Sequence, residues 1–164
     1  MKHLILIISI IPICIGAIIY IVFRSDNFLV SNILESMIGT NEITNITEQI
    51  RLNINLSYSN INSLPSALWV FSTSFLSSRS KFNSRITWYI WITIPLIYSL
   101  GLEGLQLLQV TDGTYDPLDV KYSIIGWVCA MLVAKVIDIS TSGCSIPYYY
   151  LCLFYGILIF GNVW

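Results

Sequence analysis

The chain has 164 residues, 55% hydrophobic and 10% charged, with a formal net charge of -1. An ordinary soluble domain carries roughly a quarter charged residues, and a water-exposed fold this apolar would present large adhesive patches. The near-neutral charge and scattered basic residues also leave no footprint for nucleic acid as a partner, so composition points to an all-α, polytopic membrane helix bundle of about five transmembrane helices.

The first candidate runs from Leu4 to Phe23, uncharged, rich in isoleucine and followed by Arg24. It is long enough to cross a hydrocarbon core, which needs about 20 residues. A secretory signal would have a shorter apolar region ending in small residues. Here the run ends Tyr20-Ile21-Val22-Phe23, so residues 1–24 read as a retained first transmembrane helix.

Residues 25–63 form an Asn- and Ser-rich extracytoplasmic segment. Its apolar patches, Phe28-Leu29-Val30 with Ile33-Leu34 and Ile46 to Leu52, are too short to span and read as one or two short interfacial helices.

A three-helix core is expected over residues 64–139. The second membrane helix begins at Leu64-Pro65-Ser66 and runs to Ser78; proline suits a first turn because its missing N–H would be unpaired there anyway. Ser66, Ser72, Thr73, Ser74 and Ser77 make this helix too polar for lipid and suited to close helix contact. The basic loop Arg79-Ser80-Lys81-Phe82-Asn83-Ser84-Arg85 follows, then a third helix from Ile86 to Gln109 interrupted by Pro95. An acidic loop, Val110 to Pro117, leads to a fourth helix over Leu118 to Ile139. Residues 140–164 hold the last span, Ile146 to Val163, flanked by Tyr148, Tyr149, Tyr150 and Trp164. Tyrosine and tryptophan are enriched at membrane interfaces.

Arg79, Lys81 and Arg85 have no acid between them, which places their loop in the cytoplasm. The N-terminus is then cytoplasmic and the C-terminus extracytoplasmic. Asp112, Asp116 and Asp119 fall outside, and Lys135 and Asp138 return to the cytoplasmic face. Cys14, Cys129, Cys144 and Cys152 form no CxxC, and the single histidine, His3, stands at the N-terminus. They read as small packing residues; no metal site is expected, and the sequence does not set any disulfide pairing.

One window concentrates the polar groups: Glu103, Gln106, Asp112, Asp116, Asp119 and, further on, Ser123. Glu103 and Gln106 share a helix face, with Ser99 and Pro95 preceding Glu103 on the same stripe. Glu103 follows seventeen uncharged residues, which puts it near the outer boundary of its helix. An ionisable group there is a candidate functional residue; a bundle-facing acid paired with polar neighbours is the structural alternative. Asp116-Pro117-Leu118-Asp119 reads as a helix start, with Asp116 at N-cap, Pro117 at N1 and Asp119 at N3. Gly126, Ala130 and Ala134 then form a small-residue stripe that permits tight packing. Glu103, Gln106, Asp119 and Ser123 are therefore expected to converge on one outward polar cavity.

These residues resemble the signature of the VanZ-like family of small multi-pass bacterial membrane proteins. That family has an ExxQ helix end, an aspartate-bearing loop, a second aspartate at a helix start, then a polar residue and a glycine. The matching positions here are Glu103, Gln106, Asp116, Asp119, Ser123 and Gly126, and Leu64-Pro65-Ser66 is similar to the entry of the family's first signature helix. The resemblance covers Leu64 to Ala134. This chain departs from the pattern at Trp69, where the family often has histidine, in the loop Val110-Thr111-Asp112-Gly113, where arginine often occurs, and at Ser123, where asparagine is frequent. The resemblance implies a protein of the bacterial plasma membrane and cell envelope, with no established reaction.

Two functional readings stay open. In the first, an extracytoplasmic polar pocket binds or modifies a lipid-linked or cell-wall component. Glu103 and Asp119 are then the candidate acid and base, and Gln106, Asp112, Asp116 and Ser123 the binding residues. No cofactor is expected, although carboxylate oxygens are the right chemistry for a divalent cation such as Mg²⁺ or Ca²⁺. In the second, the chain is a non-enzymatic scaffold or accessory subunit packed on a membrane protein partner. A transporter is disfavoured, because no repeat is visible and the polar groups cluster at one end.

Overall fold

The computed structural model describes residues 2–23, 40–53, 58–80, 82, 84–111 and 114–140. Five helices account for the described elements: α1 (Lys2–Phe23), α2 (Thr40–Asn53), α3 (Tyr58–Ser78), α4 (Arg85–Leu107) and α5 (Pro117–Ser140). Both α4 and α5 contain stretches long and apolar enough to cross a membrane, Arg85–Leu107 and Pro117–Ile137. A shorter apolar stretch, His3–Ile19, lies in α1. The expected last span, Ile146 to Val163, lies outside the described residues.

The helix ends follow local chemistry. Ser84 caps α4, its hydroxyl accepting from the Ile86 amide. α4 ends in a reversed turn in which Gln109 takes a positive φ of 57°. There the Val110 amide bonds the Leu105 carbonyl at 2.9 Å and the Gln109 amide bonds that of Gln106 at 3.0 Å. This is the Schellman arrangement, which usually places glycine at the left-handed position. α3 begins at Tyr58, six residues before the expected Leu64, so Pro65 lies inside the helix. Only one intrahelical bond is lost at such a proline, and Pro65 packs against Gly16 of α1.

α3 is the central helix, packed against α1, α4 and α5. α1 runs antiparallel to it, with Gly16 beside Pro65 and Leu68 and Ile5 clustered with Phe75 and Leu76. α5 runs parallel to α3: Gly126 meets Ala67, and Ala134 joins the Phe75 cluster. A Cβ at Gly126 would fall 2.3 Å from the Ala67 carbonyl oxygen, so the two backbones touch where only glycine fits.

Polarity is distributed in reverse of a water-soluble bundle. Ser63, Ser72, Thr73, Ser74 and Ser77 of α3 are fully buried, whereas Ile18, Ile97, Leu132 and Val136 are more than half exposed. Soluble folds bury their large aliphatic side chains. Several of the buried hydroxyls are satisfied within their own helix, Thr73 donating to the Trp69 carbonyl and Ser77 to that of Thr73, both at 2.8 Å. The expectation that cysteines serve as buried packing residues needs correction for two of them. Cys14 and Cys129 are free and exposed, because in this reversed arrangement the outer faces are where apolar side chains stand. Cys144 and Cys152 lie outside the described residues.

Candidate functional site

The buried stripe of α4 is Ile92, Pro95, Ser99 and Glu103. Steps of three and four residues keep one face of a helix turned towards its neighbours, and here that face meets α5. At mid-height the hydroxyls of Ser99 and Ser123 are 2.7 Å apart, one donating to the other. Lower down, the Trp127 indole N–H donates to the Ile92 carbonyl at 3.1 Å. These two bonds hold α4 and α5 in register as antiparallel neighbours.

One turn above Ser99, the Glu103 side chain is 7% exposed. Its Oε2 accepts the Asp116 backbone N–H at 3.2 Å. Asp116 in turn caps α5: its Oδ1 accepts the Leu118 amide at 2.9 Å, and its carbonyl accepts the Asp119 amide at 3.0 Å. In a capping box, the residue at N3 reaches back to the N-cap amide. Here Glu103 of the preceding helix does so. The Asp119 carboxyl stands close enough to Glu103 for the two to interact electrostatically.

The structure therefore brings Glu103, Asp116 and Asp119 together at the C-terminal end of α4, with Ser123 one helical turn further in and bonded to Ser99 instead of to the acids. Gln106 is partly buried, and its Oε1 is shielded from solvent without a hydrogen-bond partner. Asp112 lies outside the described residues. Among the described residues, no group of three or more His, Cys, Asp or Glu side chains is disposed to hold a metal ion.

Two participants were not assigned a role from sequence. Ser99 was visible on the Glu103 stripe, but its bond to Ser123 depends on helix register. Trp69 stands against Tyr98 with ring centroids 5.6 Å apart. Its indole N–H, a donor only, is buried without a partner.

The candidate catalytic pair, Glu103 and Asp119, thus stands at the cap of α5, with the Gln106 amide oxygen unpartnered one turn on. Carboxyl groups so placed can accept hydrogen bonds from a polar ligand. No protein-family model, curated protein or solved structure matches this chain.

Proposed function

We propose that the chain is a VanZ-like integral protein of the bacterial plasma membrane whose extracytoplasmic acid couple binds or modifies a lipid-linked or cell-wall component. The membrane part of this reading is supported by the reversed polarity, with serines inside and isoleucines outside. Lipid can solvate such a surface and water cannot. The proposed orientation is supported by Arg79 and Arg85 in and beside the loop before α4 and by Glu103, Asp116 and Asp119 at the opposite end. A helix of 23 residues separates the two ends by about 34 Å, close to the thickness of a hydrocarbon core.

The observation that carries the site is the burial of Glu103 against Asp119 at the end of an apolar helix. Intramembrane carboxyl groups are costly and face the interior where they serve a purpose. The alternative, a non-enzymatic scaffold packing on a membrane protein partner, is favoured by one specific fact: Glu103 also completes the cap of α5. The experiment is a binding and turnover assay of the full chain in liposomes against lipid-linked wall precursors, wild type beside Glu103→Gln. Lost turnover or binding with an unchanged melting temperature supports the site. Equal behaviour of the two proteins assigns the couple to structure and favours the scaffold.

A further inference from the structure

Two buried oxygens at the acid site are not used by the helix cap. Gln106 shares the Glu103 face of α4, and its Oε1 is shielded from solvent without a hydrogen-bond partner. The Ser63 hydroxyl of α3 is also unpartnered, in a side chain that is fully buried. Buried polar atoms are paired in the great majority of cases, so each exception calls for an explanation.

Helix register sets Ser63 at this site. Pro65 and Leu68 lie on the side of α3 that meets Gly16 of α1, whereas Ala67 meets Gly126 of α5. Ser63 stands one turn before Ala67 on that second face. Because α3 and α5 run parallel, one turn back from Gly126 reaches Ser123, and the next reaches Asp119. Ser123 is bonded to Ser99 of α4. Ser63 therefore sits at the junction of the three helices, one level deeper than Glu103 and Asp119.

The groups that meet here are hard oxygens. Glu103 is buried and interacts electrostatically with Asp119, and two ionised carboxylates at that range repel each other unless a positive charge stands with them. Asp116 is spent on the cap, its Oδ1 accepting the Leu118 amide. No set of three or more His, Cys, Asp or Glu side chains is disposed for a metal among the described residues, so any further ligands are the neutral oxygens of Gln106 and Ser63. That mixture suits Ca²⁺, which takes about 6–8 oxygens, amide carbonyls and waters included, at flexible angles. Mg²⁺ demands near-octahedral geometry and keeps several waters, for which a site this enclosed has little room.

We infer that Glu103, Asp119, Gln106 and Ser63 form a Ca²⁺ site at the junction of α3, α4 and α5. Glu103 and Asp119 supply the charge, Gln106 Oε1 and Ser63 Oγ are neutral ligands, and water completes the shell. The inference rests on the reading of these residues as a ligand site, proposed above, and gives that site a resident ion.

The test is equilibrium dialysis of the full chain in detergent, stripped with EDTA, against CaCl₂ or MgCl₂, with bound metal counted by elemental mass spectrometry. The expected result is saturable Ca²⁺ binding, stoichiometric with the chain and tighter than that of Mg²⁺. Gln106→Leu and Ser63→Ala should each weaken it about tenfold or more, since even changes beyond the ligands cost about ten- to a hundredfold in metal affinity. Gln106→Glu should tighten it, a gain that misfolding cannot imitate. Glu48→Gln removes an exposed carboxylate of α2 and should change nothing. Absence of saturable Ca²⁺ binding, a preference for Mg²⁺, or equal weakening by Glu48→Gln and Gln106→Leu overturns the inference. The precursor assay keeps the two readings apart. A chain that binds no Ca²⁺ yet loses precursor binding or turnover on Glu103→Gln defeats the ion alone. A chain that binds Ca²⁺ as expected, with Glu103→Gln equal to wild type towards the precursors, defeats the precursor as ligand and keeps the ion.

Discussion

Glu103 completes the cap of the helix that follows it: its Oε2 accepts the Asp116 amide at 3.2 Å, while Asp116 caps α5 through its own side chain. The bond ties the end of α4 to the start of α5 across the acidic loop. It also explains how a carboxyl group can be buried here, since one of its oxygens meets a backbone N–H. Replacement of Glu103 by Gln keeps an oxygen for the amide and adds an N–H that can donate to Asp119. Replacement by Ala leaves a buried amide unpaired, at a cost of about 1–3 kcal/mol. Thermal unfolding in detergent should therefore rank wild type near Glu103→Gln, with Glu103→Ala well below. Equal melting of the Gln and Ala variants would remove the capping role.

Asp116 should show the tolerance of an N-cap. Asparagine can accept the Leu118 amide in the same geometry, so Asp116→Asn should be mild, whereas Asp116→Ala should cost about 1 kcal/mol. The same melting assay checks the pair, and indistinguishable Asn and Ala variants would contradict the cap.

Gly126 marks the closest approach of α3 and α5. A methyl group at Gly126 has backbone on the other side and cannot be accommodated by rotating a side chain. Gly126→Ala should therefore destabilise by about 1–3 kcal/mol, as overpacking does. The built-in comparison is Gly101→Ala and Gly104→Ala, where nothing lies within 4 Å of the added carbon. Those should be neutral or stabilising by up to about 1 kcal/mol through helix propensity. Similar effects at all three glycines would mean that α3 and α5 do not touch as described.

Gln109 occupies the left-handed position that ends α4. A residue with a Cβ is strained there by roughly 1–2 kcal/mol, so Gln109→Gly should raise the melting temperature even after the added freedom of the unfolded chain is counted. A lower melting temperature would show that the Gln109 side chain contributes more than the backbone strain it causes.

Membrane orientation can be tested by cysteine accessibility in intact cells, in a chain freed of its native cysteines. Ser84 and Thr114 are exposed and stand at opposite ends of α4. Ser80, in the same basic loop as Ser84, is buried at 6% exposure and would report neither side. An impermeant thiol reagent should label Thr114→Cys and spare Ser84→Cys. Labelling of Ser84→Cys instead would reverse the proposed topology.

The sequence by itself determined most of the helices among the described residues and their order. An apolar run from Ile86 with a stripe of Pro95, Ser99 and Glu103 can form only a helix with one face turned inward, and α4 buries those residues. Asp116-Pro117 is a helix start by local geometry alone, since the aspartate oxygen and the proline φ act within three residues, and it caps α5 as read. The serines of the second expected helix marked it as the one packed within the bundle, because hydroxyl groups can bond their own backbone where lipid offers nothing. The start of that helix was misplaced, since Pro65 is compatible with both a first turn and an interior one and only contact with Gly16 selects the latter. Tertiary structure alone decided that Glu103 takes the capping-box role expected of Asp119, which depends on the rise and rotation of α4 against α5. It likewise decided that Ser123 bonds Ser99 and not the acids, and that Trp88, Tyr89 and Arg85 close round one cavity. Spacing within a helix is set by its 3.6-residue turn, but the register between helices is set by which small residues, here Gly126 and Ala67, let two backbones meet.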